Sequence, residues 1–338
     1  MLRLPEFRIA KPRTVEAVTA LLAEHGERAL LLAGGTDLVP NMKHELFTPE
    51  LVVSLADVEG LKGIRAEDDG TLVIGAMTTL DAVAEDERVR GQAPALAQAA
   101  SLISGPQLRR MGTLGGNVML DTRCQWYNQT YFWRQALGFC LKKDGTLCHV
   151  VESGRKCVAA ASNDSAPALM TLGARLVLVG SGGAREISID DLWRADGIHN
   201  KDSHGELLTE VRIPRRASGH RGAYGKLRDR GSIDFPLFGV AARLDLEGKR
   251  VVDADLCAVA LQARPVRVNK VAGLLIGQDV DSAEFEEAAR EVARRAHKQC
   301  RPLDNVPGDA DWRHEMVPVY VRRTLLACAA GSGPVHHL

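Results

Sequence analysis

The chain has no long apolar run. None approaches the roughly 20 residues that a membrane-spanning helix needs, so no membrane role is expected. It also has no excess charge of either sign. Lys and Arg number 43, and so do Asp and Glu, which argues against a broad nucleic-acid footprint. The opening Met1-Leu2-Arg3-Leu4-Pro5-Glu6-Phe7 has no secretory apolar core and no twin arginine. A cytoplasmic location is therefore expected, unless a partner carries the chain out. Neither the Rossmann fingerprint nor the Walker loop occurs, so a nicotinamide cofactor in a Rossmann fold is unsupported. The tight cysteine pairs of structural zinc sites and the spacing of bacterial ferredoxins are both missing,. Seven cysteines, an odd number, argue against a secreted disulfide scaffold,. There is no internal repeat and no low-complexity tract.

What is present suits a soluble protein of two or three domains: 338 residues, 45% apolar and 25% charged,. Thr14 can cap a helix carrying Val15, Val18, Leu21 and Leu22 on one face, with Gly26 placed to end it,. Ala29 to Leu32 reads as a buried strand running directly into Ala33-Gly34-Gly35-Thr36-Asp37. Leu51 to Leu55 and Leu72 to Gly75 read as further strands, and Ala93 to Ile103 as a helix with Pro94 in its first turn,. The alternation resembles a small α/β unit followed by a larger one. A second glycine pair follows in Thr113-Leu114-Gly115-Gly116-Asn117. Ala166 to Leu172 reads as a helix and Leu176 to Val179 as a strand. A domain boundary is expected near residue 217. Beyond it come strands at Ala223 to Leu227, Gly239 to Leu246 and Ala254 to Leu261. Two closing helices are expected. One starts at Ser282 and buries Phe285, Ala289, Val292 and Ala296; the other follows Asp311, with Pro318 in its first turns. Gly331 to Leu338 reads as a flexible tail.

Glycine pairs let backbone N–H groups approach a phosphate without a Cβ in the way. A dinucleotide pyrophosphate brings negative charge that needs several donors. Thr36 and Thr113 would add hydroxyls, and Asn117 could bond a phosphate or a ribityl chain. Either loop alone reads as readily as an empty tight turn; two of them, each after an apolar segment, favour a ligand.

From Asp121 to about Ala161 the texture changes. Six of the chain's aromatics and Cys124, Cys140, Cys148 and Cys157 crowd into this stretch. It reads as an insertion with its own small aromatic core, too small to offset chain entropy unaided. A tetrathiolate centre would staple it. By count alone, four thiolates suit a 4Fe-4S cluster and zinc equally. His149 reads as a neighbour of such a centre and not a ligand. Cys257, Cys300 and Cys328 read as core filling.

The two glycine loops resemble the paired flavin loops of the FAD-binding subunits of the xanthine dehydrogenase family of molybdenum hydroxylases. Asn163-Asp164-Ser165-Ala166-Pro167-Ala168-Leu169 is similar to the family's Ser-Asp before Pro-Ala-Leu, with Asn in place of Ser. Tyr224 to Arg228 through Asp234 to Leu237 resembles the start of its C-terminal domain. The insertion narrows the resemblance. Asp121-Thr122-Arg123-Cys124, Tyr127-Asn128-Gln129, Trp133-Arg134, Cys140-Leu141-Lys142 and Cys148-His149-Val150 resemble the β subunit of 4-hydroxybenzoyl-CoA reductase.

That resemblance implies an α+β chain. Its FAD-binding domain, α/β-like and of PCMH type, would span residues 1–217 in subdomains of about 1–57 and 58–217, with a 4Fe-4S-binding insertion at about 121–161. A C-terminal domain of antiparallel sheet and helices would span 218–338. FAD would be bound by Leu31, Leu32, Ala33, Gly34, Gly35, Thr36, Asp37 and Leu38, with Ile103 and Ser104, and with Gly112, Thr113, Leu114, Gly115, Gly116 and Asn117. Asp164 and Lys226 match family positions near the flavin, and Gln125 would reach toward the cofactor. Read alone, Lys226 is a surface strand lysine. Cys124, Cys140, Cys148 and Cys157 would ligate the 4Fe-4S cluster. The implied role is electron transfer: from a ferredoxin-like donor to the cluster, to FAD, to 2Fe-2S clusters on a small partner and to molybdenum on a large one. Reductive dehydroxylation of an aromatic CoA thioester would take place on the large subunit, and no catalytic residue is expected here. The alternative is the flavin subunit of a related hydroxylase acting on an aldehyde or N-heterocycle. A zinc-stapled interaction module and a self-sufficient flavin enzyme are more distant alternatives.

Overall fold

The computed structural model describes residues 2–203 and 205–336. Three strands, β1 (Arg8–Ala10), β2 (Ala29–Leu32) and β3 (Leu51–Ser54), form a parallel sheet in the order β1-β3-β2. The helix Val15–His25 makes the crossover, with Thr14 accepting from the N–H of Ala17 at 3.2 Å and Gly26 closing it at φ 54°. A second sheet is antiparallel: β4 (Ile64–Ala66), β5 (Leu72–Gly75), β6 (Arg175–Gly180), β7 (Gly183–Ser188) and β8 (Leu207–Ile213), in the order β4-β5-β8-β6-β7. A third, also antiparallel, holds β9 (His220–Leu227), β10 (Phe238–Glu247), β11 (Arg250–Val259) and β12 (Val266–Arg267), in the order β12-β11-β10-β9.

The helices Pro94–Leu102 and Ser165–Thr171 lie between the second and third sheets. Their Ala- and Leu-rich faces share one core with Leu72, Ile74, Leu176 and Val211 on one side and Tyr224, Ala241 and Cys257 on the other. The helices Ala283–Gln299 and Ala310–Ala329 cover the opposite face of the third sheet through Phe285, Val292, Val317 and Leu325. Ser282 caps the first of these by accepting from the N–H of Phe285.

Three sequence expectations are corrected. Pro318 lies inside the last helix, past its first turns. The segment after Gly331 is docked: Val335 donates to the carbonyl of Tyr224 and accepts from the N–H of Lys226, adding a bridge to the edge of β9. The expected tail residues His337 and Leu338 lie outside the described residues. Finally, residues 121–161 do not enclose an aromatic core. Phe132 is 80% exposed, and Tyr131 and Trp133 are exposed as well. The small cluster there is Tyr127 with Cys140 and Leu46, the last borrowed from outside the insertion. A buried cation anchors the segment. Arg134 donates to the carbonyl of Glu45 at 3.0 Å and pairs with Asp144 at 3.3 Å.

Candidate functional site

The two glycine loops meet. Gly34 has no room for a side chain: a Cβ there would fall 1.8 Å from the carbonyl oxygen of Met111. Gly112 faces Thr36, and Gly116 faces Ala33. Together the loops wall a cleft of about 360 Å³. Leu31, Ala33, Gly34, Gly35, Thr36, Asp37, Leu38, Ile103, Ser104, Gly112, Thr113, Gly115, Gly116 and Asn117 all line it.

The loops divide the work unequally. Among the described residues, the N–H groups of Ala33, Gly34, Gly35, Thr36 and Asp37 have no acceptor in the protein. They form the open cradle, and Gly35 takes φ 72° to shape it. The donors of the second loop are mostly committed. Leu114 donates to Thr78, Gly115 to Ala76 and Asn117 to Thr113. Thr113 caps the short helix Leu114–Val118 by accepting from the N–H of Gly116 at 3.0 Å. The amide oxygen of Asn117 accepts from Ser165, at 3.1 Å from its N–H and 2.6 Å from its hydroxyl. Gly115 serves packing: a Cβ there would lie 2.6 Å from that of Ala76.

Five expected residues do not line the cleft. Leu32 is strand, and Leu114 is wholly buried in the central core. Gln125 donates its amide to the carbonyl of Asp304 at 2.8 Å, which ties it to the C-terminal segment and away from the cleft. Asp164 and Lys226 lie behind the wall. Lys226 is wholly buried, not a surface lysine. Its Nζ is 3.2 Å from Asp164 and 3.1 Å from the carbonyl of Leu102, next to the cleft-lining Ile103 and Ser104. Tyr224 donates to the other oxygen of Asp164 at 2.8 Å. Burial pushes the Asp164 carboxyl up, against the pull of Lys226 and Tyr224. Sequence reasoning missed Met77, Leu80, Asp121, Glu206 and Phe235, which also line the cleft. Met77, Leu80 and Glu206 come from scattered segments and carry no local motif, whereas Asp121 and Phe235 lie in stretches that the resemblance already marks, Asp121 to Cys124 and Asp234 to Leu237.

All four cysteines of the insertion line a single small chamber, with Trp126, Tyr127, Lys142 and His149. Cys140, Cys148 and Cys157 are buried and Cys124 nearly so. No three of these sulfurs lie within 4.8 Å of one another. Burial pushes the Cys124 thiol up to about 12 and that of Cys157 to about 11. Without a metal, Cys124 and Cys157 would therefore stay protonated at neutral pH, and a bound cation is what would turn these two into thiolates,. One ring nitrogen of His149 is taken, 2.6 Å from the carbonyl of Phe139. Arg123 links the chamber to the cleft. It precedes Cys124, pairs with Asp37 of the first loop and lies 4.6 Å from the centre of the Phe235 ring. Burial lowers its pKa to about 10.

Residues 5–216 match the family described as the FAD binding domain in molybdopterin dehydrogenase. Residues 222–328 match the CO dehydrogenase flavoprotein C-terminal domain. The carbon monoxide dehydrogenase medium chain of Afipia carboxidovorans is 31% identical, over 94% of this chain and 95% of its own. The aldehyde oxidoreductase FAD-binding subunit PaoB of Escherichia coli is 33% identical, over 69% of this chain and 76% of its own. Among solved structures, the cyanide-inactivated Cu,Mo-CO dehydrogenase aligns with a TM-score of 0.79 at 30% identity, covering 98% of this chain and 100% of that one.

Proposed function

Since the chain belongs to the family of FAD-binding subunits of molybdenum hydroxylases, that of the carbon monoxide dehydrogenase medium chain, we propose that it carries both FAD and a 4Fe-4S cluster. The complex it serves would be of the 4-hydroxybenzoyl-CoA reductase kind. It is an oxidoreductase subunit, and its work is electron transfer: substrate chemistry belongs to a large molybdenum-cofactor partner, reached through a small 2Fe-2S partner. A ferredoxin-like protein is the proposed donor, and the cytoplasm the proposed location. A division near residue 217 separates the proposed domains.

One observation carries the finer reading: four cysteines, spread over 34 residues of sequence, share one chamber beside the flavin cleft. Their spacing favours an iron–sulfur cluster over a single metal. Four thiolates on one zinc ion, at about 2.3 Å each, would stand roughly 3.8 Å apart. The cleft fits FAD through the free N–H groups of Ala33 to Asp37 and the forced closeness of Gly34 to Met111. FAD, when bound, exchanges electrons singly or in pairs. The first loop would hold its pyrophosphate, and the buried Asp164–Lys226–Tyr224 set would stiffen the wall at Ile103 and Ser104.

Iron, acid-labile sulfide and flavin analysis of the purified complex tests this reading. Cys140→Ser should remove about four irons, on the tetrathiolate stoichiometry, while FAD stays bound. Unchanged iron would rule out the ligand set, and zinc without sulfide would rule out the cluster. The likeness to the aldehyde oxidoreductase subunit favours a second reading, a hydroxylating complex acting on an aldehyde or N-heterocycle. Turnover of an aromatic CoA thioester with a low-potential donor, against oxidation of an aldehyde, separates the two.

A further inference from the structure

The chamber and the cleft share one ion pair. Lys142, two residues after Cys140, lines the thiol chamber. Asp121, three residues before Cys124, lines the flavin cleft. Lys142 Nζ donates to Asp121 Oδ1 at 2.9 Å, to Thr122 Oγ1 at 2.8 Å and to the carbonyl of Gly197 at 2.5 Å. The lysine side chain is 6% exposed and its ammonium lies 4.9 Å from the centre of the Tyr127 ring. Three acceptors and an aromatic face hold the charge in one place. A second buried ammonium reinforces the set: Lys201 donates to the carbonyl of Leu120, next to Asp121, at 2.6 Å. Glycine makes the crowding possible. A Cβ on Gly197 would lie 2.6 Å from the sulfur of Cys157. Lys142 already acts on that thiol, drawing Cys157 downward while burial pushes it up.

We propose that the Lys142–Asp121 pair is the electrostatic coupler of the two redox sites. The cation of Lys142 sets the potential of the centre held by the thiols, and Asp121 fixes that cation from the flavin side. This rests on the reading that the thiols hold an iron–sulfur cluster and the cleft holds FAD. An electron added at a tetrathiolate centre adds negative charge, and a fixed cation out of water favours the added charge far more than a solvated one would. Removing the cation therefore makes the centre harder to reduce. Removing the anion of Asp121 leaves the cation less compensated and makes both centres easier to reduce. Lys142 and Asp121 are positioning residues in this scheme; neither is a catalytic residue.

Redox titration of the purified complex, followed by electron paramagnetic resonance for the cluster and by visible absorbance for the flavin, tests the proposal. Lys142→Met should lower the cluster potential, Lys142→Arg should restore it toward wild type, and Asp121→Asn should raise both potentials. A purely structural tie would alter cofactor loading or melting temperature and leave the potentials of loaded protein unmoved; that result overturns the coupler. If Lys142→Met loses its cluster, Asp121→Asn decides, and an unmoved cluster potential there overturns the coupler as well. Wild-type complex without iron and sulfide would instead overturn the underlying reading.

Discussion

Each glycine of the two loops answers a different demand, and the demands can be separated by substitution. The Cβ of an alanine at position 34 would collide with backbone that cannot swing away, the Met111 carbonyl. At position 116 the nearest atoms are the Thr113 hydroxyl at 3.0 Å and the Ala33 Cβ at 3.9 Å. Overpacking costs about 1–3 kcal/mol. Gly34→Ala belongs at or above the top of that range and should lose FAD, whereas Gly116→Ala should keep most of it. Flavin-to-protein ratios and melting temperatures of the two variants check this, and equal losses would contradict it. Lys201 gives a pH test. Burial lowers its pKa to about 8 from the ordinary 10.5. A depressed lysine contributes stability that is full above its ordinary value and is lost as pH falls toward 8. Wild type should therefore lose melting temperature relative to Lys201→Met between pH 10.5 and 8. A constant difference between the two across that window would show that Lys201 does not titrate there.

Among the elements, the insertion stands apart. It has one short helix, Tyr131–Ala136, and a buried cluster of three residues, one of them borrowed. Such a segment cannot offset its chain entropy through apolar contacts alone. Stripping metal with a chelator under reducing conditions should open residues 121–161 to proteolysis. The helices Ala283–Gln299 and Ala310–Ala329, packed on the third sheet, should stay intact. Protection of the insertion without metal would mean that Arg134 and Lys142 suffice to hold it. The regular elements were largely legible in the sequence. Caps at Thr14 and Ser282 and the apolar runs of β2, β5, β10 and β11 mark themselves by local chemistry. The short strands β1, β4 and β12 and the polar hairpin strand β7 were not, because two or three residues, or an exposed face, give no periodicity to read,; the longer, mostly buried β8 was missed as well.

At the scale of the molecule, the PCMH-type FAD-binding domain and the C-terminal antiparallel sheet expected from the sequence are both present. The cleft draws its walls from segments far apart in the chain: the loop after β2, the helix Leu114–Val118 and Phe235 before β10. A ligand seated there binds the folded arrangement and not the unfolded chain. FAD at a hundred times its dissociation constant should therefore stabilise by about 2.7 kcal/mol. Melting curves of flavin-free protein titrated with FAD measure this, and a melting point indifferent to FAD would place the flavin elsewhere.

The amino-acid order by itself determined where the glycine loops, the cysteine quartet and most long elements lie, because each is written in residues adjacent along the chain. Only the tertiary structure decided which loop keeps its donors free, that Lys226 is buried against Asp164, and that Lys142 and Asp121 join the thiol chamber to the cleft. Those outcomes depend on which backbone carbonyls and carboxylates arrive from distant segments to accept a hydrogen bond. Nothing in a local run of residues encodes that arrival.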